Sequence, residues 1–344
     1  MKTQLLTSIG EISLKQWAQV RSGSFYTTTE WLTHVEGSLG QERFYVTVWD
    51  DTESCLLGAA PFYLFERSTF APYNLSTLLP PGMHDGPTVP NVICTAPHGY
   101  CCALSMNPAL APEEGLAARE LLLSVAEAEA RRRSAIAHAF LYVEENGQGA
   151  LIDSLRSRGY RTFPLDAKNL LSVTWSSFED YLASLSRHRR VNARCEIRRF
   201  QSSGCSIAVE GAEALNERLA LLEANVHHKY GLKTSVDRVR RIHLRAQKYL
   251  APFIRVFVAR RENVEIGFAQ FYVHDGTYYA GFVGFDYDLS VKSFSYFNTL
   301  FYAPIQDAIA HGALLIDYGL GADAAKVARG CQAGRQIGLF KDLA

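Results

Sequence analysis

Three sets of residues in this sequence have the types and spacing to do chemistry. The first is Asp317, Tyr318, Lys326 and Arg329, in a run punctuated by Gly319 and Gly321 and otherwise made mostly of small residues. A carboxylate there can orient an amine or accept its proton, and a phenol can donate one to a leaving group. Each has a plainer reading: Asp317 as the cap of the turn before Gly319, Tyr318 as one of 17 tyrosines packed in a core, and Lys326 as a surface lysine. The second set is the polar loop 286–295. Its Lys292 and Ser293, with the free amides of the helix start that follows, could hold a phosphate. Asn298 is a further polar contact on that helix, whereas Asp286 and Asp288 shape the loop. The third set is six arginines, Arg187, Arg189, Arg190, Arg194, Arg198 and Arg199, with Glu196 as the one acid among them. Like charges this close repel, and an anionic partner would relieve the cost. Arg189, Arg190 and Arg194 are the phosphate-contact candidates, and Lys229, Lys233, Arg240, Arg241 and Arg245 form a second basic patch. A solvated helix surface is the competing reading.

The elements around these residues follow from periodicity. Phe294, Phe297, Phe301, Ile305 and Ala308 recur with helical spacing, Gly312 ends the run as a C-cap would, and 313–316 is too short for a helix and suits a buried parallel strand. A strand, helix and strand joined this closely make a βαβ-type unit, whose ligand sits at the carboxyl ends of the strands. Upstream, Ser176-x-x-Glu179 reads as a capping box. Helices are expected at 212–230 and 235–249, then strands at 253–259, 266–273 and 278–283 as an antiparallel meander turning at Arg261-Glu262-Asn263 and Asp275-Gly276. Earlier, a helical pattern spans 13–39, broken near Gly23, and runs 44–49 and 56–64 flank a hairpin turn at 50–53. Segment 68–106 is irregular and reads as a binding or lid loop, with a surface excursion as the alternative. A helix opens at Pro112 and closes on Arg131, Arg132 and Arg133, a basic cluster that suits a helix C-terminus. A strand at 137–143, a helix at 149–158 and a strand at 163–173 complete an α/β first half. Two lobes are expected, 1–174 and 175–344.

A chain of 344 residues with 48% hydrophobic content can bury one large core or two medium ones. Formal net charge is zero and by itself favours no partner. Its distribution is uneven: Lys plus Arg number 13 against 18 Asp plus Glu before residue 174, and 22 against 17 after it. Seven cysteines without a CxxC spacing fit reduced thiols better than a disulfide framework or a zinc site. The start has too short an apolar run for a signal peptide and no later run approaches a membrane span, so a cytoplasmic protein without membrane or metal partners is expected. His227-His228 is no metal pair, because adjacent helical residues point about 100° apart. Cys101-Cys102 with His98 lacks a third group for nucleophilic catalysis, and Gly319-x-Gly321 reads as a turn.

SRHRRVNARCEIRRFQSSG, YYAGFVGFDYD with FNTLFYAPIQDAIAHGALLIDYGLG, and AAKVARG together resemble the GNAT superfamily, and within it the two-lobed FemABX-like and CelD/BioF-like transferases. The resemblance covers roughly residues 175–335 and is looser before that. It implies an α+β fold of two tandem GNAT-like lobes, each a mixed sheet flanked by helices, with a cleft between them. It also implies transfer of an acyl or aminoacyl group, from acyl-CoA or aminoacyl-tRNA, to the amine of a small molecule or peptide, with no tightly bound cofactor. Lys326 matches the family's late lysine, which implies a role on the donor carbonyl and the developing oxyanion. Arg329 joins the donor-binding set. The loop DYDLSVKSFSYF lacks the glycines of the phosphate cradle of simple acetyltransferases, so the extended basic surface tips the expected donor toward aminoacyl-tRNA, with tRNA as a candidate partner. A catalytically silent GNAT-like binding module is the alternative.

Overall fold

Alternating and continuous apolar runs fold into thirteen strands among the residues described, which are 1–20, 23–36, 42–67, 71–290 and 293–343 of this computed structural model. The chain divides into two units, Met1–Ala167 with Gly334–Ala344, and Lys168–Ala333.

In the first unit β1 (Lys2–Leu6), β2 (Glu42–Trp49), β3 (Leu56–Phe65) and β4 (Asn91–Cys94) pair in that order, each antiparallel to the next. The short β5 (Ser105–Met106) pairs with β3, and β6 (Ala137–Glu144) lies parallel to β4. Every residue of β3 is buried, which explains its unbroken apolar sequence. The β2–β3 turn is held by Asp50, whose carboxylate accepts from the Ser54 and Cys55 amides at 2.8 and 3.2 Å. Segment 68–106 is not a loop of one kind, because it contributes β4, a buried strand between β3 and β6. Helix Pro112–Arg132 covers the sheet with Ala118, Leu122, Leu123, Ala126 and Ala130. Its terminal arginines are structural: Arg132 and Arg133 both pair with the buried Glu129, and Arg131 donates to the Leu343 carbonyl at 2.5 Å.

β7 (Arg161–Ser172) carries the chain into the second unit. Helix Phe178–Ser184 starts one residue later than the capping-box spacing suggests, with Ser177 accepting from the Asp180 amide at 3.1 Å. The arginine-rich segment is helix Arg187–Ser202, followed by β8 (Cys205–Glu210) and helices Glu217–Lys229 and Val236–Leu250. The expected meander is β9 (Ile254–Arg261), β10 (Val264–His274) and β11 (Thr277–Phe285), extended to four strands by β8 on β9. A helical segment runs from Ser295–Phe297 through a π-helical turn, Asn298–Tyr302, to Ala303–Ala310, and β12 (Leu315–Asp317) follows. β12 lies parallel to β11 and antiparallel to β7, so this unit's strand order is β7-β12-β11-β10-β9-β8. Its core joins Phe257, Ala269, Phe271, Phe301, Ile305, Ile316 and Tyr318.

β13 (Gln332–Asp342) returns to the first unit, where it pairs antiparallel with β6. A division at residue 174 therefore needs correction. The crossing falls inside β7, and the final residues complete the first unit instead of the second.

Candidate functional site

β11 and β12 share three register pairs, Thr277 with Leu315, Tyr278 with Ile316 and Tyr279 with Asp317, and then part. The cause lies on the other side of β12. Tyr318 N donates to Asn169 O at 2.9 Å and Asn169 N donates to Gly319 O at 3.0 Å, so the chain beyond Asp317 stays with β7. Among the described residues, β11 keeps a strand partner on one edge alone from residue 280 to 285, and an edge of that kind presents unpaired N–H and C=O groups. This fork lies at the carboxyl ends of two parallel strands, the position where crevices of mixed sheets take ligands.

The loop after β12 frames one side of the fork. Gly319 and Gly321 have φ of 64° and 71°, values that favour glycine, and Ala322 follows at 52° before helix Asp323–Val327. Lys326 is buried and its ammonium donates to the carbonyls of Tyr318, Gly319 and Leu320 at 2.7, 3.2 and 2.7 Å. Burial lowers its pKa to about 8. An ammonium has three donors, and all three close this loop. Asp317 is equally enclosed: its Oδ1 accepts from Gly319 N at 2.8 Å, and its Oδ2 lies 3.1 Å from the ammonium of Lys168 on β7. Asn169 adds a bond to Asp323 Oδ1 at 2.8 Å. The capping reading of Asp317 is thus realised, with an ion pair added. Tyr318 is buried against Phe271 and Phe301, with ring centroids 6.1 and 4.9 Å away, and its hydroxyl has no partner among the described residues. It packs as a core aromatic, and burial holds its pKa well above the usual range.

The expected donor contacts divide. Arg329 is buried, donates to Glu196 Oε2 at 2.8 Å and lies 3.8 Å from the Phe297 ring centre, so it is engaged inside the unit. Glu196 also accepts from the Tyr302 hydroxyl, which gives the lone acid of the arginine helix an internal role. Asn298 is buried and donates to Glu196 O and Phe294 O at 3.2 and 3.0 Å. It also lines a cavity of about 580 Å³ with Ile197, Phe200, Cys205, Tyr302 and Gln306. Ser293 is buried, donates to Ser290 O at 2.8 Å and meets the Ser295 hydroxyl. Lys292 lies outside the described residues. On the arginine helix, Arg190 donates to the Ala183 and Leu185 carbonyls at 3.0 and 3.4 Å, and Arg194 pairs with Glu179 at 2.7 Å. Arg189, with Arg187 and Arg198, is exposed and unpaired among the described residues. Asp286 shapes its loop as expected, accepting from the Asp288 and Leu289 amides and pairing with Arg218 at 2.9 Å.

Lys168 and Asn169 escaped the reading of the sequence, and Glu196 was read there only as the lone acid of its helix. Their signals were a charged and a polar residue inside the apolar strand LDAKNLLSV, and one acid among six arginines. Among the described residues no group of three His, Cys, Asp or Glu side chains could hold a metal, and no helix is long and apolar enough to cross a membrane.

A family model described as FemAB-like, peptidoglycan biosynthesis/recognition, matches residues 8–341. The chain belongs to the FemAB-like family. No curated protein matches its sequence. Among solved structures, FemX is similar over all of this FemAB-like chain and 98% of its own, with 13% identity and a TM-score of 0.66. A tandem GNAT protein from the clavulanic acid biosynthesis pathway matches over 100% and 99% of the two chains, with 13% identity and a TM-score of 0.55. L-PGS from Bacillus licheniformis matches over 91% and 88%, with 12% identity and a TM-score of 0.56. These likenesses show the fold, α+β with mixed sheets flanked by helices in the tandem GNAT manner. Membership makes the FemAB-like chain an enzyme of acyl or aminoacyl transfer.

Proposed function

We propose that this FemAB-like protein forms an amide bond by transferring an aminoacyl group from aminoacyl-tRNA to the amine of a small molecule or peptide, in the cytoplasm and without a tightly bound cofactor. The observation that carries the reading is the unpaired edge of β11 at residues 280–285, beside the loop closed by Lys326. Backbone N–H groups on such an edge suit a carbonyl whose oxygen gains charge as an amine attacks it; removing one donor of that kind typically costs about 3 to 4 kcal/mol. In this reading Lys326, Asp317 and Lys168 act on the reaction by fixing the loop, and the fork aligns the donor carbonyl with the incoming amine. The amine adds to the carbonyl carbon, the tetrahedral centre collapses, and the ribose oxygen leaves with a proton.

Acyl-CoA is the second donor reading, supported by the same fork, since a thioester carbonyl would occupy it equally. What favours tRNA is that Arg187, Arg189 and Arg198, and likewise Lys229, Lys233 and Arg241, are exposed, more cations than one CoA needs. Assaying the purified chain against charged tRNA pools and acyl-CoAs, with amine acceptors that include peptidoglycan-precursor peptides, tests this. Product formation abolished by ribonuclease supports the first donor; full activity with acyl-CoA alone overturns it.

A further inference from the structure

β8 closes one edge of the second unit's sheet, with β9 as its only strand partner among the described residues. The register, from Cys205 with Arg261 to Glu210 with Val256, runs without a bulge. On its open side every second residue of β8 therefore presents N–H and C=O groups to no strand. Exposed edges are ordinarily blunted by charge, proline, a bulge or a covering element. β1, the edge strand of the first unit, follows that rule with Lys2 paired to Glu53 at 2.7 Å and an α-amino group paired to Asp51. β8 reads CSIAVE: it has no proline, its one charge is Glu210 at the end, and Val209 is 45% exposed. The cavity of about 580 Å³ runs along this strand. Cys205, Ser206 and Ile207 all line it, and consecutive strand residues, whose side chains alternate in face, border one space where it meets the strand's edge. Ile197 and Phe200 of helix Arg187–Ser202 and Ala303 and Ala310 of the helix before β12 give it apolar walls.

A slot with an open strand on one side and apolar helix residues on the other fits an extended backbone that carries apolar side chains at alternate positions. We propose that a second copy of this chain supplies it, by antiparallel pairing of β8 with its own copy about a two-fold axis normal to the sheet. Such an axis keeps like faces of the two strands together. With Ala208 opposite its own copy, Ile207 meets the partner's Val209 and Val209 meets the partner's Ile207, on the face that borders the cavity, so both exposed valines are covered. Ser206 meets the partner's Glu210. Ser206 also lies opposite Arg260 on β9, and Arg260 pairs with Glu210 of its own chain at 2.5 Å. The incoming carboxylate therefore arrives beside a guanidinium and opposite no like charge. This match of charge and apolar side chains within one register selects a second copy over an unrelated strand. One short strand a side is a small contact, below the area of a permanent interface, so the association is weak and concentration-dependent.

Sedimentation equilibrium of the full chain and of Val209→Lys measures the association. Val209 is exposed, so the variant is expected to fold, as circular dichroism would verify. The dimer of that variant loses two cross-strand apolar pairs, which predicts a dissociation constant roughly 2- to 30-fold larger. Ala208→Cys tests the register. Directly opposite Cα atoms of antiparallel strands stand about 4.5 or 5.5 Å apart, within the span of a disulfide, so a mild oxidant should link two chains covalently. Ser202→Cys, at an exposed position on the adjoining helix, and the wild type with its seven cysteines set the background. A wild type that stays monomeric at millimolar concentration overturns the proposal. So does self-association that Val209→Lys leaves unchanged, or an Ala208→Cys chain that links no faster than the background. Outward amides of β8 that gain hydrogen-exchange protection only when a peptidoglycan-precursor peptide is added would assign the edge to that ligand and overturn the dimer as well.

Discussion

Asp317 and Lys168 keep 7% and 6% of their side-chain surface in solvent, so removing either leaves the other charged and dry. Breaking a buried pair typically costs about 3 to 5 kcal/mol, whereas replacing both partners by apolar side chains of similar size costs much less. Urea denaturation should therefore find Lys168→Met and Asp317→Leu each strongly destabilised and the double variant more stable than either. All three should lose turnover, because the loop after β12 loses its anchor. Lys326 gives a prediction in pH. Its folded pKa of about 8 lies below the 10.5 of an ordinary lysine, so between those limits the unfolded chain binds more protons and stability rises with pH. Below pH 8 both states are protonated and the burial cost is fully present. The slope reaches at most about 1.4 kcal/mol per pH unit, and it should vanish in Lys326→Met when melts are compared from pH 7 to 10.5.

Helix Arg187–Ser202 shows how one element divides its charges. Ala193 and Phe200 face the core, Glu196 holds Arg329 and Tyr302, Arg190 covers the end of the preceding helix, and Arg199 lies 5.5 Å from the Phe294 ring centre. Arg187, Arg189 and Arg198 are left in solvent without a partner among the described residues. If this helix carries RNA, replacing those three by alanine should weaken minihelix binding. It should also flatten the salt dependence by roughly 0.7 to 0.9 in log–log slope per lost phosphate contact. Arg190→Ala should instead act on stability, with little change in that slope. Titrating binding against salt distinguishes the two, and a slope unmoved by the triple change would mean a solvated surface. The sequence displayed the helix and its charge. It could not show which arginines were already engaged, because Ala183, Glu179 and Phe294 meet them only once the second unit has folded.

For the molecule as a whole, β13 joins the last residues of the chain to the first unit. Ile337, Leu339, Phe340 and Leu343 are all buried there. Fully burying an aliphatic or aromatic side chain is worth about 1.5 to 3 kcal/mol, so four approach the entire stability of an ordinary domain. Ending the chain at Ala333 should therefore unfold the first unit, visible as lost protection of β6 amides in hydrogen exchange; protection of β6 equal to that of the full chain would refute this. By itself the sequence determined what local patterns encode: the helices, the meander from β9 to β11, the parallel strand β12, and a resemblance specific enough to name the superfamily. It placed Asp317 and Lys326 in one short stretch, since the ten consecutive positions from one to the other can be read directly. Only the tertiary structure decided that Lys326 spends its donors on three carbonyls, that Lys168 faces Asp317, and that β11 stands open from residue 280. Each depends on partners 6 to about 150 residues apart meeting out of water, where an unpaired polar group is costly, and periodicity carries no record of such meetings.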